Sequence, residues 1–305
     1  MARKKANYPL IEGLEITTLA AEGKAMGRWN DVVVFVPMTV PGDVVDVQIR
    51  CKRRRYMVGY VVRYVHKSPK RAEPFCEHFG VCGGCKWQNL PYDEQLAFKT
   101  DQVRDQLTRI GKIELPEIAP CLGSAQTRFY RNKLEFTFAD RRWLTREEIA
   151  ADAKIEAGPA AGFHIPDMFD KVLDIRLCWL QPEPSNAIRL ETKRFCIEHG
   201  YTFHNAREHT GLMRNMTVRT ASTGEVMVIV VFGSDDRPRI TALLDHLVVK
   251  FPEITSLFYI VNTKFNDSTA DLDPVLYHGK DHIVEGMEGL HFKVGPKSFY
   301  QTNSA

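Results

Sequence analysis

Cys76, Cys82 and Cys85 crowd into the run Cys76-Glu77-His78-Phe79-Gly80-Val81-Cys82-Gly83-Gly84-Cys85. Thiolates bunched beside paired glycines suit a metal centre. Glycine lets the backbone approach an inorganic cluster and aim its N–H groups at the sulfurs. Zinc sites more often show two C-x-x-C pairs, whereas an uneven trio plus one distant cysteine suits a four-iron cluster better. Ordinary burial or a disulfide is the plain alternative, but so tight a group rarely serves packing alone. The chain has seven cysteines and a basic, non-apolar stretch from Met1 to Pro9. It also lacks any apolar run long enough to span a bilayer. Together these predict a reducing, cytoplasmic setting with no membrane partner.

A second chemistry is written in charge. The 305 residues sum to +3, but residues 1–71 carry +8 and the rest −5. The excess gathers at Cys51-Lys52-Arg53-Arg54-Arg55-Tyr56 and at His66-Lys67-Ser68-Pro69-Lys70-Arg71, with no acidic residue between Cys51 and Arg71. Interleaved with Tyr56, Tyr60 and Tyr64, this patch suits phosphate pairing and base stacking on nucleic acid. The bland alternative is a solvated strand face that keeps the protein soluble.

The elements that must position these residues follow from pattern. Hydrophobic content of 44% and charge of 26% are those of an ordered, globular chain long enough for two or three cores. Strands are predicted over 14–20, 31–36, 44–50 and 56–66, with turns at 22–27 and 41–43. Short strands in so few residues suggest a small barrel of the OB type. A helix should start at Pro91, place Leu96, Val103, Leu107 and Ile110 on one face, and stop at Gly111. Strands are expected at 129–138 and 162–178 around a more helical insertion, 144–157. A hairpin at 216–232, a helix from about Pro238 to Lys250 and strands at 256–262 and 290–294 complete an α+β region.

In order, these features resemble a known family. A basic barrel, C-x5-C-G-G-C, Arg128-Phe129-Tyr130-Arg131-Asn132-Lys133 and a final Ser298-Phe299-Tyr300-Gln301-Thr302-Asn303 are similar to the TRAM-domain RNA (uracil-5-)-methyltransferases (RumA-like). Those enzymes carry a [4Fe-4S] cluster and act on 23S ribosomal RNA. The resemblance runs along essentially the whole chain, and the cysteine trio is its most specific element. It implies an α+β multidomain protein: an OB-fold-like TRAM barrel over 1–70, then an α+β iron–sulfur central domain over 71–91 and 123–295. Residues 92–122 and 296–305 would be remnants that pack on a C-terminal Rossmann-like methyltransferase domain absent from this chain.

The same resemblance implies residue roles. Cys178, after Asp170–Leu177, would be the fourth cluster ligand beside Cys76, Cys82 and Cys85; composition alone cannot choose among Cys51, Cys121, Cys178 and Cys196. Gln301 would contact S-adenosylmethionine, with Phe299 shaping the site. Arg128, Phe129, Tyr130, Arg131 and Lys133 match a family stretch that lies against the RNA, and Lys52, Arg53, Arg54, Arg55 and Tyr56, read from charge, would bind it as well, ribosomal RNA above all, with no obligate protein partner. A core-strand role for Phe129 and Tyr130 stays open beside this. The chemistry adds a cysteine to uracil carbon 6, methylates carbon 5 and removes its proton with a carboxylate. We find no glycine-rich strand-to-helix turn for the methyl donor, so no catalytic residue is expected here and the chain alone is predicted inactive. Two other classes remain: an iron–sulfur or zinc-stabilised RNA-binding module without enzymatic ancestry, and a radical enzyme, which the C-x5-C-x2-C spacing disfavours.

Overall fold

Val44–Lys52 buries Val45, Asp46, Val47 and Ile49 and turns Arg50 and Lys52 to solvent, and five other segments join it in one six-stranded sheet. The computed structural model describes residues 8–151, 155 and 157–304; Met1–Asn7, the remainder of the expected 144–157 insertion and Ala305 lie outside the described residues. Two units emerge, residues 1–80 with 84–123, and residues 81–83 with 124–305.

In the first unit the strands are β1 (Leu10–Glu15), β2 (Thr18–Ala20), β3 (Lys24–Trp29), β4 (Val32–Pro37), β5 (Val44–Lys52) and β6 (Tyr56–His66). Their order is β1-β5-β6-β4-β3-β2. β1 and β2 are two halves of one bent strand, and each half pairs with a different edge, so the sheet closes on itself. Closure brings the backbones of 15 and 27 together: a Cβ on Gly27 would lie 2.2 Å from the Glu15 carbonyl oxygen. That glycine and Gly23 made 22–27 read as a turn, although most of it is β3. Inside sit Ile11, Leu14, Ile16, Val34, Val36, Val45, Val47, Ile49 and Met57. The fully buried Asp43 anchors the exit, accepting from the backbone of Val40 and Ser68 and from the Arg71 guanidinium at 2.8–2.9 Å.

Helix α1 (Tyr92–Asp105) runs on through Gln106–Ile110 in wider, π-type turns, and the Gly111 N–H bonds the Gln106 carbonyl at 2.8 Å. Gly111 itself stays right-handed at φ −70. The turn expected there falls on Lys112, at φ 52. None of the helix residues is fully buried.

The second unit is built on a seven-stranded sheet: β7 (Lys133–Ala139), β8 (Ala160–His164), β9 (Val172–Asp174), β10 (Met213–Thr220), β11 (Val226–Phe232), β12 (Ile254–Val261) and β13 (Val275–Gly279). Its order is β13-β12-β11-β10-β7-β8-β9. The short α2 (Arg146–Ala150) opens on a capping box at Thr145 and Glu148. Helices α3 (Ser185–Glu198) and α4 (Arg237–Lys250) cover one face, with Ile188, Phe195, Ile240, Leu243, Leu244 and Leu247 buried. The hairpin β14–β15 (Ile283–Met287, Leu290–Val294) covers part of the other, where Ile283 and Val294 meet Met227, Ile229 and Val231. β11 is buried on both faces, as a continuous apolar run requires. The sequence did not announce α3; its buried positions 188, 192, 195 and 196 do repeat at helical spacing. The strand expected at 162–178 is two short ones, and that expected at 129 starts at Lys133.

Arg189 of α3 ties this unit together. It is fully buried, and its guanidinium donates to the carbonyls of Ala161, Ile175 and Arg176 at 2.9, 2.6 and 3.0 Å. It also lies over the Phe136 ring, 5.3 Å from the centroid. Burial pulls its pKa down to about 10. A second tie joins the helices: Glu191 of α3 accepts from Arg194 and meets His246 of α4 at 2.6 Å. These partners hold its carboxyl down to about 2.

Two outcomes follow from these ties. Arg189→Met should cost about 3 kcal/mol or more in denaturant unfolding, because it strands buried carbonyls without donors. Glu191→Gln should cost about 1 kcal/mol at neutral pH. A carboxylate with a depressed folded-state pKa stabilises fully above its unfolded value of about 4.5 and loses that contribution as the pH falls toward 2. Urea titrations at several pH values should therefore show the gap between wild type and Glu191→Gln closing between those limits. A gap constant down to pH 2 would contradict it.

Candidate nucleic-acid interface

On the face opposite the helices the central sheet changes character. Register sets Asn215, Thr217 and Arg219 of β10 beside Thr137, Glu135 and Lys133 of β7. His164 of β8 continues the row, its Nε2 3.2 Å from the Thr137 hydroxyl. Lys133, Glu135, Asn215 and Thr217 line a cleft of about 90 Å³ with Ile229, Val231 and Lys297. A larger depression of about 480 Å³ lies elsewhere, around Asp140, Tyr201, Phe203 and Glu208. It holds none of the residues expected from the sequence.

Two loops border this polar face. One is 128–132. Its Phe129 and Arg131 N–H groups donate to the Trp179 and Leu180 carbonyls at 2.7 and 2.8 Å. Phe129 adopts φ 54 and tilts against Trp179 with ring centroids 5.3 Å apart. The Arg128 guanidinium lies 5.4 Å from the Trp179 ring. Phe129 stays 38% exposed, so an aromatic face reaches solvent with a cation near it, the arrangement that stacks bases.

The other loop is 298–304. Asn132 donates from its backbone to Thr302 O at 2.9 Å and from its amide to Gln301 O and Ser304 Oγ at 2.8 and 2.7 Å. Arg219 donates to Ser298 O at 2.9 Å. Thus Phe129, Arg131 and Lys133 come together with Phe299 and Gln301, which lie far off in sequence. The side chains of Phe299 and Gln301 are exposed. An amide and an aromatic ring fit as part of a cofactor-binding wall, but they enclose nothing by themselves.

The other expected residues belong to other segments of the chain. Lys52–Arg55 and Tyr56 form the exposed tip of the β5–β6 hairpin, closed by the Arg53 N–H to Tyr56 O bond of 2.8 Å. No disulfide joins the cysteines among the described residues. Burial, with Cys85 and Glu77 nearby, pushes the Cys76 thiol up, so it favours the protonated form. Cys178 is buried, its N–H donating to Asn186 Oδ1 at 2.8 Å. Among the described residues no three His, Cys, Asp or Glu side chains gather closely enough to hold a metal ion. No chemistry is routed through a metal here. Trp179 and Arg219 escaped the sequence reading. Trp179 directly follows Cys178, and Arg219 sits in an alternating strand, so pattern alone marked neither. No described helix is long and apolar enough to cross a membrane.

Similarity to known proteins gives the class first: the relatives of this chain are RNA methyltransferases. An uncharacterized RNA methyltransferase of Bacteroides thetaiotaomicron is 56% identical over 289 residues, 94% of this chain and 64% of the relative. One from Porphyromonas gingivalis is 52% identical, over 95% of this chain and 64% of its own length. The crystal structure of a Pyrococcus abyssi tRNA (uracil-54, C5)-methyltransferase in complex with S-adenosyl-L-homocysteine superposes with a TM-score of 0.65 at 25% identity. That match covers 96% of this chain and 61% of the archaeal one. No protein-family profile matches. The chain spans about 64% of the length of the two bacterial relatives.

These matches correct the fold class expected from the sequence. That expectation defined the chain by the methyltransferase domain it lacks, on the ground that no glycine-rich turn is present. Similarity to methyltransferases instead covers 94% of the chain in sequence and 96% in structure. The lack of one short fingerprint was too weak a signal to define a truncated fold.

The Asn132 bonds give this site its own test. Asn132→Ala removes two bonds of about 1 kcal/mol each, so amide exchange across 298–304 should quicken about tenfold or more while β10 and β11 stay protected. Unchanged exchange there would show that other contacts hold the loop.

Proposed function

We propose that the protein is an S-adenosylmethionine-dependent RNA uracil-5 methyltransferase, and that this chain supplies surfaces that grip and orient the RNA. The observation that carries this is the joining of loop 128–132 to loop 298–304 through Asn132, which sets a stacking platform and cations beside Phe299 and Gln301. The RNA methyltransferase relatives and the tRNA uracil-5 methyltransferase neighbour support it. When bound, S-adenosylmethionine would supply the methyl group, with Gln301 and Phe299 as contacts. Arg131 and Lys133 would pair phosphates, Phe129 and Tyr130 would offer ring faces to a splayed uracil, and Lys52–Arg55 with Tyr56 would also bind RNA. No nucleophile or base is assigned among these residues. The finer target, 23S ribosomal RNA, rests on the motif resemblance, and the cytoplasmic setting on the cysteine usage. So do an OB-like TRAM barrel and a [4Fe-4S] cluster on Cys76, Cys82, Cys85 and Cys178.

The test is binding and methyl transfer with ribosomal and transfer RNA transcripts and labelled S-adenosylmethionine. We expect RNA binding that weakens steeply with salt and, with the active protein, label at uracil carbon 5; the transcript that accepts it identifies the target. Phe129→Leu should weaken binding of single-stranded RNA by about 1–3 kcal/mol. No measurable RNA affinity would sink the proposal. Iron and acid-labile sulfide on anaerobically purified protein settle the cluster separately: about four of each per chain, lost in Cys178→Ala, are expected, and metal-free protein would refute it.

A further inference from the structure

The polar face carries two cations where a sheet ordinarily avoids them. Lys133 and Arg219 stand directly opposite each other in the β7–β10 register, which puts their Cβ atoms about 5 Å apart. Like charges so placed repel and destabilise the pair of strands. Arg219 is only 6% exposed. It makes the Nη2 bond to Ser298 O, while its Nε is buried with no partner among the described residues. Arg131, which bridges to Asn303, also has a buried Nε without a partner. Two acids line the cleft with Lys133: Glu135, which is exposed and lies opposite Thr217 rather than either cation, and Asp267, which pairs with Arg214 at 2.6 Å. Burial and the charge of Arg219 push the Lys133 ammonium down, with Glu135 only partly opposing, and burial pushes the Arg219 guanidinium down.

Uncompensated positive charge in a half-buried place is costly unless an anion completes it. We propose that Lys133 and Arg219, joined by Arg131, form a seat for one phosphate of the RNA backbone beside loop 298–304, a proposal that rests on the RNA reading above. A phosphate offers oxygens both to a guanidinium edge and to an ammonium. The methyl donor suits the seat poorly, since its sulfonium and ammonium would meet three cations. A phosphate contact here positions the strand and carries no base preference, so specificity lies with groups that face the base.

The test uses the full chain, single-stranded oligoribonucleotides of several sequences, and inorganic pyrophosphate as a second probe. Lys133→Gln and Arg219→Gln should each weaken oligonucleotide binding about tenfold, equally for every sequence, and lower the salt slope by about one. Without any anion, Lys133→Gln should melt above wild type, because the repulsion is gone. Pyrophosphate should raise the melting temperature of wild type and not of Lys133→Gln. Arg219→Lys should retain most binding. If Arg219→Gln fails to fold, Lys133→Gln carries the test, since its ammonium makes no hydrogen bond among the described residues. Equal affinity and salt slope in wild type and Lys133→Gln would overturn the seat while leaving RNA binding intact. Protection by pyrophosphate without oligonucleotide binding would keep a phosphate seat and remove the RNA reading. Neither probe binding would remove both.

Discussion

A guanidinium buried among carbonyls, that of Arg189, decides where the working parts of the second unit sit. It reaches from α3 to Ala161 on β8 and to Ile175 and Arg176 beyond β9. That holds the segment leading to Trp179 and Leu180, whose carbonyls receive the Phe129 and Arg131 amides. Those amides in turn hold Asn132 where it can bind the 298–304 loop. The Arg189 links are hydrogen bonds in a low-dielectric place, where a missing partner is expensive. Among the described residues Arg189 pairs with no carboxylate, and peptide dipoles and the Phe136 ring face its charge. Such an arrangement specifies geometry better than a lone ion pair, because several acceptors must be placed at once.

Parts of this architecture were legible in the sequence. Period-two stretches such as 44–50 and the helix near 238–250 declared themselves by hydrophobic spacing, because each buries one face. β3 did not, since its glycine serves a close backbone approach and reads as a turn. Loop 128–132 read as a strand because strands and stacking platforms draw on the same aromatics; only the left-handed Phe129 separates the two. Arg131, Lys133, Phe299 and Gln301 were legible as a set through resemblance, yet their meeting depends on Asn132, which no periodicity marks. Arg219 was invisible because a cation in an alternating strand looks like a solvent-facing residue until its cross-strand neighbour is known. The cysteine spacing was the loudest signal of all, and the described residues do not gather it into a metal-ion site.

The two faces of the central sheet divide its labour. Leu134, Phe136 and Phe138 point toward the helices and are buried, while the opposite side of the same strand carries Lys133, Glu135 and Thr137. β11, separated from it by β10, is apolar on both sides, and the β14–β15 hairpin covers it. Where that cover ends, the sheet becomes polar and open. Stability is thus concentrated behind the site, and the residues in front are spared the demands of packing.

The bent first strand of the barrel bears on how the molecule is made. β2 finds its partner β3 within a short hairpin, whereas β1 pairs with β5, from which β2, β3 and β4 separate it in the chain. On a growing polypeptide β1 therefore waits longer for its partner than β2 does. Its unpaired edge stays available to other strands until β5 emerges, which makes the interval between those two segments the vulnerable moment in the life of the nascent chain.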